Sequence, residues 1–175
     1  MFAINQRNFR IYWLGGLLLF AAVVVAGAPL SVPGVPSGMG DHQAATTASN
    51  VNAIHAAWQA AGLLGTAKLA MVIDLIFIGI YSFGAFQGGQ LFRKMPSAAM
   101  RRLGSVVTVA AIVFFVTDYA ETISQLIQLL RFSGSDMLAG IAAFVRPIKM
   151  LAFLVSFIGI LAGLLLQRRL NSGAK

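Results

Sequence analysis

From position 11 to position 30 the chain runs without a single charged side chain, and three further stretches, 69–92, 103–130 and 147–166, come close to repeating that pattern. About 20 apolar residues in helical conformation cross the roughly 30 Å hydrocarbon layer of a bilayer. A spanning segment also has to satisfy its backbone polar groups internally, which an α-helix does. The four stretches therefore predict an all-α membrane protein, a bundle of four transmembrane helices forming one membrane domain over 1–175. The fourth span starts at Pro147 or somewhat earlier, near Leu138. The first stretch has features of a secretory leader, with Arg7 and Arg10 ahead of it and Ala26-Gly27-Ala28 near its end. Its apolar run exceeds the ~7–15 residues of a leader, and Pro29 would follow the cut, so a retained span is expected.

Charge is scarce: 10% of residues carry one, against about 25% in soluble domains. Its placement gives an orientation. Arg7, Arg10, Arg93, Lys94, Arg101, Arg102, Arg168, Arg169 and Lys175 fall at one end of the bundle, with no acidic residue among them. Lys68, Arg131, Arg146 and Lys149 fall towards the other end, with all five acids, Asp41, Asp74, Asp118, Glu121 and Asp136. Basic links mark the cytoplasmic side, so both termini are expected in the cytoplasm. The small size and short loops make the bacterial inner membrane the expected compartment. The net charge of +8 is thus a topology signal with attraction to anionic lipid. Dispersed basic residues without a recognition motif do not suggest nucleic acid.

The outer loop, 31–67, opens with Pro33-Gly34 and Pro36, which stop the first helix. From about Thr47 a helical spacing appears: Val51, Ile54, Trp58 and Ala61 share one face, with Asn52, His55 and Gln59 elsewhere. A short amphipathic helix on the outer face or over the bundle is expected. Gly84-xxx-Gly88 and Gly159-xxx-Gly163 suit close helix packing.

The informative constellation is a set of charges inside the spans. One such charge at mid-helix costs about 2.5–3.5 kcal/mol on insertion scales. Counted from the cytoplasmic ends at ~1.5 Å per residue, Asp74 lies at ~27 Å, Asp118 at ~22 Å, Glu121 at ~27 Å, Lys149 at ~26 Å and Arg146 at ~30 Å. Three spans thus bring acids and bases to one layer near the outer boundary. Asp118, Glu121, Thr122, Gln125 and Gln128 recur at helical spacing as one polar stripe. Asp74 sits within Met71-Val72-Ile73-Asp74-Leu75-Ile76-Phe77, so its partner must come from another helix, Arg146 or Lys149. Tyr81, Gln125 and His55 are further candidates for this site. An ion-pair network that fixes helix register accounts for most of the same residues, Asp74 least comfortably.

No cofactor or metal is expected. Cysteine is absent, the two histidines, His42 and His55, lie outside the spans, and no ligand spacing occurs. Phosphate-loop, dinucleotide, HExxH and serine-nucleophile motifs are missing. Two function classes remain. One is a non-enzymatic protein that binds a lipid or amphiphilic small molecule, or serves transport or another membrane subunit as an accessory, through the charged outer layer. The other is a small membrane enzyme in which Arg146 and Lys149 hold an anionic group while Asp74, Asp118 and Glu121 handle protons.

Overall fold

A computed structural model describes residues 5–172; Lys175, counted above among the basic residues, lies outside them. In chain order the helices are α1 (Gln6–Gly27), α2 (Met39–Ala44), α3 (Ala48–Ala60), α4 (Leu64–Arg93), α5 (Ala98–Arg131) and α6 (Asp136–Ser172). Among the described residues there is no strand, only an isolated bridge between Val32 and Val35. There Pro33 and Gly34 make a tight turn in which Gly34 takes φ 86°, a value glycine reaches at no steric cost.

Each apolar stretch becomes one long helix. Segments 6–30, 64–93, 98–131 and 136–169 are long and apolar enough to cross a membrane, which is compatible with an integral membrane protein. All four outgrow the apolar runs. Of the two starts open for the fourth, α6 takes one close to the earlier: it begins at Asp136, and Pro147 lies inside it rather than at its first turn. Asp136 suits the positive end of the helix dipole. Pro147 removes one backbone donor, facing the carbonyl of Ala143 four residues back, and the helix continues through it.

The long helices run alternately up and down. α4 packs between α1 and α5, and α5 between α4 and α6. Aromatic contacts close the ring from α6 back to α1: Trp13 meets Phe157 at 6.0 Å and Phe20 meets Phe153 at 5.6 Å between ring centres. Gly84 makes the α1–α4 crossing tight, since a Cβ there would lie 2.5 Å from the Trp13 nitrogen. Leu14, Leu18, Val72, Val109, Ile158 and Leu165 point outward and are exposed, a surface compatible with contact with a lipid bilayer.

The segment 31–63 covers one end of the bundle. It holds two helices where the sequence suggests one. Thr47 caps α3 by accepting the Asn50 amide at 3.2 Å. The Trp58 indole donates to the Leu30 carbonyl at 2.9 Å, tying α3 to the short turn that follows α1. On the other flank Asp136 accepts from the Ala48 amide at 2.6 Å, and Asn52 from the Gly134 amide at 2.6 Å. Val51, Ile54 and Trp58 are buried beneath this cap. So is His55, which the helical wheel had set apart from that face.

Candidate functional site

Two apolar cores occupy the bundle, with a polar layer between them. Under the cap lie Met71 of α4, Leu129 of α5 and Ala139 of α6. Further from the cap an aromatic core contains Phe77 and Tyr81, Phe114, and Ala152 of the same three helices. Between them α4 contributes Asp74, α6 contributes Lys149, and α5 contributes Asp118, Glu121, Thr122, Gln125 and Gln128. All five of the α5 residues are buried, which places the whole stripe inward.

Lys149 is the hub of this layer. Its Nζ lies 2.6 Å from Asp118 Oδ1 and 3.0 Å from Glu121 Oε2. The lysine is 6% exposed and Glu121 0%, so this is a buried triad, and Lys149 does not snorkel outward. The Gln125 amide donates to Glu121 Oε1 at 3.4 Å. Removing charges from water is costly unless they are paired and hydrogen-bonded, and these contacts meet that condition for Asp118, Glu121 and Lys149.

Asp74 stands apart from the triad, which corrects the expected pairing. Neither Arg146 nor Lys149 bonds to it; the Thr122 hydroxyl donates to Asp74 Oδ2 at 2.9 Å. Lys149 and Asp118 act on Asp74 only through space. Asp118 and Glu121 rise from α5 one turn apart, and that geometry claims the lysine before α4 can reach it. Arg146 is half-buried and forms no ion pair among the described residues, though its charge is felt at Glu121. Tyr81 does not join the layer either. It lies in the aromatic core, where its hydroxyl meets that of Ser156 at 3.0 Å.

Asp74 instead borders a cavity of about 380 Å³ under the cap. Its walls come from Val23, Val24 and Gly27 of α1, Ala28 and Ser31 beyond it, residues 36–39, Gln43 of α2, Ala70 and Met71 of α4, and Gln125 of α5. Val24 also faces the outside of the bundle. Asp74 is the one charged residue among those lining the space, and the volume falls within the roughly 300–1,000 Å³ of small-molecule pockets. Nothing in the sequence spacing announces this space, because a turn and three helices distant in sequence build it.

His55 lies in the cap, away from the charged layer. Its Nε2 is 3.0 Å from Nε2 of His42, and both side chains are buried. Trp58 stands against both rings, and Phe132 stacks on His55 at 5.9 Å. Burial and the neighbouring ring push His42 down to about 3, and burial pushes His55 down to about 4. Both are therefore neutral at neutral pH, one nitrogen donating and the other accepting. Among the described residues no group of three or more His, Cys, Asp or Glu side chains is placed to hold a metal ion.

No protein-family model matches the chain, and neither curated proteins nor solved structures offer a significant match.

Proposed function

We propose that this chain is a small integral membrane protein, non-enzymatic, that holds a lipid or other single-chain amphiphile in the cavity under its cap. One observation carries the reading: a mainly apolar cavity of about 380 Å³ has a single charged group on its wall, a carboxylate in an otherwise apolar stretch of helix. The apolar parts of the wall suit a hydrocarbon tail, and the few polar groups, with one charge among them, orient it. The exposed position of Val24 at the rim gives the tail a way in from the surrounding lipid. With both termini in the cytoplasm, the cavity belongs to the outer leaflet.

The enzyme reading requires Arg146 and Lys149 to hold an anionic group. Lys149 is engaged by two carboxylates, and neither basic residue lines the cavity. The binding reading asks for no such group. It is tested by native mass spectrometry of protein released gently from its own membrane. A bound molecule of defined mass, lost in Gly27→Leu, is the expected result. Gly27 lines the cavity and a Cβ there meets nothing within 4 Å, so leucine fills the space without a backbone clash. A chain that emerges bare, or with another subunit alone, would replace the binding reading with an accessory one.

A further inference from the structure

Resting on that reading, we infer that the amphiphile carries an ammonium head group, and that Asp74 receives it. Charge and hydrogen-bond capacity argue the same way. The Thr122 hydroxyl donates to one oxygen of Asp74, and among the described residues no donor bonds to the other. A carboxylate accepts at both oxygens, so this one has unused capacity. The other polar side chains on the wall are Ser31, Ser37, Gln43 and Gln125, all neutral; the Ser31 hydroxyl donates to the Pro36 carbonyl and the Gln125 amide to Glu121. The one charged group on the wall is therefore an acceptor with a free oxygen, and it asks for a donor.

The charge count points to a cation. Three carboxylates, Asp74, Asp118 and Glu121, meet two cations: Lys149, within 3.0 Å of the latter two, and Arg146, which acts on Glu121 through space, so one negative charge is left over. From α1 the cavity receives Val23, Val24 and Gly27, none of them charged. A carboxylate facing an apolar space needs a counter-charge or a strong donor. An anionic head would meet Asp74 with no basic residue on the wall to offset it. A hydroxyl head would supply one donor and leave the charge unmatched. An alkylammonium supplies up to three donors and the missing positive charge, in bonds roughly twice as strong as neutral ones.

Calorimetry on the full chain in phosphatidylcholine nanodiscs, against empty nanodiscs, tests this with three probes of equal tail: dodecylammonium, dodecanol and dodecyl sulfate. Dodecylammonium is expected to bind roughly tenfold or more tightly than either of the others. Asp74→Asn should remove that preference, and Asp74→Glu should keep it. Equal binding of all three, abolished by Gly27→Leu, would keep the cavity reading and overturn the ammonium head. Binding of none would overturn both. If Asp74→Asn does not fold, the ranking of the three probes on the unaltered chain decides alone.

Discussion

Lys149 is where this chain takes its largest electrostatic risk. Its ammonium balances two carboxylates in a place where water does not reach. Breaking such a pair by removing one partner costs about 3–5 kcal/mol, because the charges left behind stay buried. Lys149→Met should therefore lower unfolding stability in detergent by about that much. Adding Asp118→Asn and Glu121→Gln should return much of it, since no orphan charge then remains. Equal stability of Lys149→Met and the unaltered chain would mean that the triad is hydrated, and would remove the argument for a dry layer. The sequence makes part of this layer readable. A charge inside an apolar run needs a partner, and the depths of Asp118, Glu121 and Lys149 agree when counted along their helices. The pairing itself is not readable, because it depends on how α4, α5 and α6 rotate about their axes. That rotation gives Asp74 a threonine hydroxyl in place of a lysine.

At the scale of elements, the cap and the α1–α4 crossing each make a claim. Gly84 sits where α1 and α4 approach closely, its hydrogen taking the place of a Cβ that would lie 2.5 Å from backbone. Gly84→Leu should separate the two helices and cost about 1–3 kcal/mol by overpacking, read as a lower unfolding midpoint. An unchanged midpoint would show that α1 is held elsewhere. The cap depends on a different contact, the neutral His42–His55 pair. Folding depresses both from the ordinary 6.5, to about 3 and about 4. Below pH 6.5 the unfolded segment takes up protons that the folded one refuses, so cap stability falls as pH falls. The loss continues until the folded values are reached, where the folded pair protonates too. Amides of α2 and α3 should thus lose hydrogen-exchange protection between pH 7.5 and pH 5, after correction for intrinsic rates, while α4 keeps its own. His55→Gln should flatten that dependence. Protection of α2 and α3 that holds steady with pH would overturn the role of the pair. Helix number was readable from the apolar runs, but α2 was not: six residues are too few for a periodicity. The sequence leaves the start of α6 open between Pro147 and Leu138, because Pro147 looks like a first-turn proline although the helix passes through it.

The whole molecule adds a constraint that no single helix carries. Four long helices alternating in direction put the start of α1 and the end of α6 on one side, opposite the cap. The link between α4 and α5 lies on that same side, and it bears Lys94 with Arg93, Arg101 and Arg102 at its flanks. Short basic links are retained in the cytoplasm, so reporter fusions at 94–97 and after Lys175 should read as cytoplasmic. A fusion near Gly40 should read as outside. Replacing Arg93, Lys94, Arg101 and Arg102 with glutamine should weaken this preference and give mixed reporter signals. Orientation also decides which leaflet supplies a ligand. The layer of Asp74 lies near the cap ends of the helices, at ~15 Å along α4 from Leu64 and ~20 Å along α6 from Asp136. A molecule entering past Val24 therefore comes from the leaflet on the cap side. If all three fusions report the reverse, the cavity geometry stands unchanged, but its ligand has to be sought among amphiphiles of the cytoplasmic leaflet.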